Sequence, residues 1–334
     1  HAHPTPQGGG VAIVLAVCGL IAAVGVLAWI WQRDPGVFPV PAALTDDVRR
    51  VGQMLPFLLK ILGGGLALAC FGLWDDIRPF SPPLKLAIQF VIVAAVVVGS
   101  GVRISLFIQI DWVQALITIL WIVLLANSFN LLDNMDGLSG TVALLCGGAL
   151  LICALQTAQF FIAGLLLALM GATLGFLYFN LPPAGIFMGD TGSMFLGYML
   201  ATATALTTFV RGQVINPLFP VLVPLIIFAV PLYDSVSVLA IRLHMGRPLL
   251  AGDRNHLSHR LYRLGMSARR VLVTIGLVTL ATSLGATLPY GSTSWRVVVP
   301  AVQTLAILLV IVQLELASSE LDVPEGGGDG GATS

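Results

Sequence analysis

Residues 112–138 read WVQALITILWIVLLANSFNLLDNMDGL. The first twenty, 112–131, contain no charged side chain. About twenty apolar residues of helix are what a hydrocarbon core about 30 Å thick requires. A chain crossing lipid must satisfy its backbone hydrogen bonds internally, and the run is too long for a transmembrane strand, so it reads as a helix. It closes on polar side chains. Asn127, Asn130 and Asp133 are three apart and stack along one helical face, and Asp136 extends the row if the helix continues. Four oxygen-bearing side chains at a membrane boundary suit Mg²⁺ or a nucleotide. The plainer alternative is a polar stripe facing other helices.

Similar apolar runs recur in both directions. Ten stretches qualify, at approximately 10–31, 55–74, 84–102, 112–131, 137–155, 158–179, 191–210, 216–241, 271–290 and 296–317. The whole 334-residue chain is 57% hydrophobic and only 10% charged, against about 25% charged residues in soluble domains. A soluble enzyme, a disordered protein and a nucleic-acid binder are excluded. Sixteen basic residues cancel sixteen acidic ones, so bulk charge recruits no polyanion. The fold class expected is an all-α polytopic membrane helix bundle. Cys18, Cys70, Cys146 and Cys153 all lie in apolar runs and read as packing residues.

Ten spans place both chain ends on one side. That side and its flanks hold Arg78, Lys85, Arg242, Arg247, Arg254, Arg260, Arg263, Arg269 and Arg270, against six arginines opposite. The bias makes it the cytoplasmic side. Residues 1–320 form the membrane domain, and 321–334 read as a Gly-rich, acidic, disordered tail. No internal repeat is evident, which weakens a secondary-transporter reading.

The aspartates gather on the cytoplasmic side. Asp75 and Asp76 end the second span, Asp133 and Asp136 the fourth, Asp190 precedes the seventh, and Asp253 lies in the long basic loop. Ionisable groups at membrane depth are functional candidates by default. Adjacent residues on a helix point about 100° apart, so one of Asp75 and Asp76 can face a metal or substrate while the other orients a neighbour. In FMGDTGS (187–193), Asp190 sits between glycines at a helix start, where free N–H groups can hold a phosphate. GDRNHLSHRL (252–261) brings Arg254, His256, His259 and Arg260 into one loop, and arginine forks suit phosphate or sugar contacts. HPTPQGGG (3–10) stiffens a turn with prolines and then allows close backbone approach to a ligand or another helix. No Walker, GxSxG or HExxH motif occurs.

Together these motifs resemble the polyprenyl-phosphate N-acetylhexosamine-1-phosphate transferase superfamily, glycosyltransferase family 4. The resemblance runs from residue 1 to about 318. It rests on the PTPxxGG-like start, the Asp75-Asp76 pair, NSFNLLDNMDGL at 127–138, FMGDTGS, PLYD at 231–234 and DRNHLSHRL at 253–261. The last motif carries Ser258 where the N-acetylglucosamine branch commonly has a histidine, and it argues against the muramoyl-pentapeptide translocase. Family members usually have eleven spans, so a first helix is expected ahead of residue 1.

The resemblance implies that a polyprenyl phosphate, such as undecaprenyl phosphate, attacks the β-phosphorus of a UDP-N-acetylhexosamine and releases UMP. It implies Mg²⁺, with Mn²⁺ as substitute, on Asp190 and Asp133. Asp75, Asp76, Asp133 and Asp136 are the catalytic candidates. Asn127, Asn130, Arg254, His256, His259 and Arg260 are expected to bind substrate. UDP-GlcNAc is the expected donor, with UDP-FucNAc, UDP-QuiNAc and the pentapeptide translocase reaction as alternatives. A cation-coupled transporter is the rival class. It predicts carboxylates near the midplane rather than at one face. The expected setting is the bacterial inner membrane with the site facing the cytoplasm, starting a cell-envelope polysaccharide such as O-antigen. Membrane lipid is a partner, nucleic acid is not, and a homodimer stays open.

Overall fold

The computed structural model describes residues 5–104, 108, 110–209, 219–246, 248, 255–288 and 298–321. Among these every regular element is a helix. In order they are α1 (Gly9–Arg33), α2 (Thr45–Gln53), α3 (Leu55–Ile77), α4 (Pro82–Ser100), α5 (Asp111–Leu132), α6 (Leu138–Gln156) and α7 (Phe160–Asn180). There follow α8 (Gly189–Leu206), α9 (Phe219–Ile227), α10 (Ala229–His244), α11 (Leu257–Arg263), α12 (Ala268–Gly285) and α13 (Val298–Leu321). The protein is a multi-pass membrane helix bundle.

Local chemistry marks the ends. α4 opens on Pro82-Pro83, where a missing N–H costs nothing, and closes on Gly101 in the left-handed region at φ +76°. Pro224 lies inside α9, and α9 and α10 meet at a 75° bend. The stretch 216–241, expected as one span, thus contains a sharp bend within its described part, 219–241.

Against the ten stretches expected, eight helices among the described residues are long and apolar enough to cross a membrane, or nine if the bent pair counts as one. The remaining stretch, 191–210, corresponds to α8. That helix has the length but is too polar to qualify. The segment between α1 and α3, read as a loop, contains the short polar helix α2.

The polarity of α8 is explained by its place. Every residue from Thr191 to Ala205 is buried, and α1, α3, α5, α6 and α7 surround it. It is the axis of the bundle. Helices α1, α4 and α13 lie outside: only 28%, 17% and 11% of their apolar stretches are buried.

Candidate active site

The site forms where α8 begins. Its first turn must enter between other helices, and small residues permit this. A Cβ on Gly72 would lie 2.7 Å from the carbonyl carbon and oxygen of Asp190 and from the Thr191 nitrogen. A Cβ on Gly10 would lie 2.3 Å from the Gly192 nitrogen. Both neighbours are backbone and cannot rotate away. Gly72→Ala is therefore expected to destabilise the protein by about 1–3 kcal/mol through overpacking. Thermal unfolding in detergent checks this, and an unchanged melting temperature would refute the close packing. The N-terminal motif makes a similar approach. Gly9 and Gly10 donate to the carbonyls of Phe187 and Met188, each at 3.0 Å, and Phe187 donates to Pro6 at 2.9 Å. Its glycines serve helix contact.

Asp76 completes the docking. Its Oδ1 accepts the Asp190 N–H at 2.9 Å, and its Oδ2 accepts the Thr191 N–H at 3.2 Å and the Thr191 hydroxyl at 3.0 Å. A carboxylate from α3 thus caps α8, satisfying N–H groups that the helix itself leaves open. Asp75 points elsewhere. It accepts the Phe80 N–H at 2.8 Å and pairs with Lys85 Nζ at 2.9 Å. Of the two adjacent carboxylates, one orients a helix and the other faces the site.

Lys85, one turn into α4, is the centre of the cluster. It contacts Asp75, the Asp190 carboxylate, and Asn130 Oδ1 at 3.4 Å. Asn130 donates to Asp190 Oδ1 at 2.7 Å and to Ser193 Oγ at 3.0 Å. Four helices, α3, α4, α5 and α8, place polar groups at this point. Sequence reading counted Lys85 only as topological charge. The missed signal was a lysine inside an apolar helix on the same side as the aspartates.

The row expected on α5 divides. Asn130 faces Asp190. Asn127 turns into the bundle and donates to Gln89 and to the Val123 carbonyl. The buried Gln89 in turn donates to Met194 Sδ at 3.0 Å. Asp133 ends the helix rather than extending it, at φ −77° and ψ 37°. Asp136 therefore leaves the row, against expectation, and its Oδ2 accepts the Ala184 N–H at 3.0 Å. Gly137, at φ +75°, reverses the chain and donates to Asn180 at 2.9 Å. Burial, followed by the charges of Asp190, Asp76 and Asp136, pushes the Asp133 carboxyl well above the usual range, against an opposing hydrogen bond with the Gly189 backbone.

A second cluster adjoins the first. Asp234 on α10 is fully buried. Its Oδ2 lies 2.9 Å from His256 Nδ1, and its Oδ1 accepts the Leu257 N–H at 2.6 Å. His256 thus occupies the N-cap position of α11. The His256 and His259 ring centres are 6.4 Å apart. Ser258, where a histidine is common, donates to Asn134 Oδ1 at 2.6 Å and so ties this loop to the turn after α5. Arg260 is buried between α10 and α13, and donates to Ser237 Oγ at 2.7 Å. Arg254 and the 322–334 tail lie outside the described residues.

Among the described residues, no three His, Cys, Asp or Glu side chains are close enough to hold an ion by themselves. The donors at hand are carboxylate and amide oxygens, with an excess of negative charge around Asp133. That set fits Mg²⁺, which favours hard oxygens and commonly takes one or two carboxylates with waters and substrate phosphates.

Residues 58–208, which carry the α3–α8 cluster, match the profile of glycosyl transferase family 4. The chain is 31% identical over 265 residues to a probable undecaprenyl-phosphate N-acetylglucosaminyl 1-phosphate transferase of Bacillus subtilis, covering 77% of this chain and 72% of that one. It is 31% identical over 319 residues to the decaprenyl-phosphate N-acetylglucosaminephosphotransferase of Mycobacterium tuberculosis, covering 86% and 72%. A shorter match, 50% over 93 residues, joins it to a phospho-N-acetylmuramoyl-pentapeptide-transferase of Chlamydia muridarum, covering 27% and 28%. The chain belongs to glycosyl transferase family 4, the polyprenyl-phosphate sugar-1-phosphate transferases.

Proposed function

We propose that the protein transfers N-acetylglucosamine-1-phosphate from UDP-N-acetylglucosamine to undecaprenyl phosphate at the cytoplasmic face of a bacterial inner membrane, to start a cell-envelope polysaccharide. The observation that carries the reading is the convergence of Lys85, Asp75, Asp190 and Asn130 at the edge of the bundle. Beside them Leu73, Trp74 and Ile77 of α3 and Leu84 of α4 are exposed. A charged head and an apolar tail can be held side by side there. The donor assignment follows the relatives that span most of the chain, whose names specify N-acetylglucosamine.

In this reaction an oxygen of the lipid phosphate bonds to the β-phosphorus of the donor. The bond from that phosphorus to the oxygen bridging the two phosphates breaks, and UMP departs with the bridging oxygen. The nucleophile needs little help from a base, because a phosphate monoester with a second pKa of about 6 is largely dianionic at neutral pH. The demand is for positioning and charge stabilisation. Lys85 supplies the positive charge against the phosphates. Asp75 holds the Lys85 ammonium in place, and Asn130 and Lys85 together fix the Asp190 carboxylate. Asp190 and Asp133 would hold Mg²⁺, whose charge offsets that of the diphosphate. Asp76 acts by holding α8. His256, oriented by Asp234, and His259 would contact the nucleotide sugar.

The test is UMP release by the purified protein in detergent, given undecaprenyl phosphate and a panel of UDP-N-acetylhexosamines. Release is expected to require both lipid and Mg²⁺, and to stop on adding chelator. The preferred donor identifies the sugar. Release that persists with the metal stripped would overturn the Mg²⁺ assignment, and silence with every donor would overturn the reaction.

A further inference from the structure

Glu315 lies within the apolar stretch of the last helix, α13. An isolated carboxylate there is costly, so its partner is informative. Arg260 Nε stands 3.1 Å from Glu315 Oε1, and the Tyr233 hydroxyl donates to Oε2 at 3.0 Å. The Arg260 guanidinium also lies 5.7 Å from the centre of the Tyr233 ring. With the Ser237 contact, the arginine is held by α10 on one side and α13 on the other.

The helix that carries Arg260 cannot place itself. α11 has seven residues, and an isolated helix shorter than about 12 residues is marginal at best. Its start is fixed by Asp234, through His256 and Leu257. Ser258 adds a bond to Asn134, and the side chain of Arg260 is the anchor that reaches α10 and α13. A buried ion pair is weak evidence for stability, because desolvation offsets its attraction and an apolar replacement is often neutral. Its use here is placement: the attraction draws the Arg260 end of α11 toward α13.

We propose that Glu315, assisted by Tyr233, is a positioning residue for the sugar-phosphate transfer: the α13 carboxylate locks Arg260 and thereby fixes the α11 segment that presents His256 and His259 to the donor. The inference rests on the reaction proposed above and extends the site to a helix far from it in sequence. It separates the two substrates. The lipid phosphate is handled by Lys85 and Asp75, which do not touch α11, so loosening α11 affects donor binding alone.

The experiment compares full-length wild type with Glu315→Gln, Glu315→Asp and Arg260→Gln. Michaelis constants for donor and lipid acceptor are measured separately, and backbone hydrogen exchange at Leu257–Leu261 is followed without substrates. Glu315→Gln is expected to raise the donor KM about tenfold and leave the acceptor KM within about twofold, with faster exchange in α11. Glu315→Asp, which keeps the charge, restores part of the donor KM. Arg260→Gln matches Glu315→Gln, and the double variant is no worse than either. An unchanged donor KM with unchanged exchange overturns the proposal, as does a parallel rise of both Michaelis constants. If wild type releases no UMP with any donor, the reaction fails instead, and the exchange comparison still decides whether Glu315 holds α11.

Discussion

Asp190→Asn is expected to lower kcat/KM for UMP release by about a thousandfold while the protein still folds. The asparagine has nearly the same shape, and the backbone groups that Asp76 caps are untouched. What disappears is the charge that faces Lys85 and Asn130. Groups preorganised against developing charge in a water-poor site contribute on the order of a hundred- to a thousandfold each. Asp190 has two duties of this kind, toward the lysine and toward the proposed metal. The concentration of Mg²⁺ needed for half-maximal activity should rise as well. Melting temperature, kcat/KM and Mg²⁺ titration, measured on one preparation, check all three points. Unaltered turnover and Mg²⁺ requirement would remove Asp190 from the site.

The second large effect is expected at Lys85. Lys85→Met keeps most of the side-chain volume and removes the cation, leaving Asp75 and Asp190 with no opposite charge between them. A loss of about a hundredfold in kcat/KM is expected. Arginine should not rescue it, because a planar fork cannot replace a point charge on three oxygens supplied by three helices. The test that separates this from general damage is the double variant. Lys85 and Asp190 are in contact, so Lys85→Met combined with Asp190→Asn should fall well short of the product of the single losses. Losses that multiply would mean the two side chains act independently.

Much of this site is legible in the sequence, and the reasons differ by residue. Hydropathy marks the helices because lipid imposes one requirement on every residue of a span. The clustering of carboxylates at span ends is visible because charges are excluded from elsewhere. A periodic argument places Asn130 and Asp133 near one another, but it overreaches at Asp136. The end of α5 is decided by partners distant in sequence: Asn180 receives the Gly137 N–H, and Asp136 is taken by Ala184. Lys85, Gln89 and Glu315 escape notice for the same reason. Each looks like an isolated polar residue until a remote helix supplies Asp190, Asn127 or Arg260. Pro231, whose missing N–H leaves the Ile227 carbonyl without its helical donor, fits the break of α9 from α10, yet an uninterrupted apolar run conceals it.

The buried axis of the bundle bears on how the protein is made. α8 is not apolar enough to enter lipid on its own account, and it carries an aspartate in its first turn. Its neighbours α1, α3, α5, α6 and α7 all precede it in the chain. During synthesis on the ribosome the slot that receives it is therefore already complete when it emerges. The helix never has to be stored in the bilayer as a free span, and packing against companions does the work of hydrophobic insertion. The order of the elements along the chain thus supplies α8 with its packing partners before it is made.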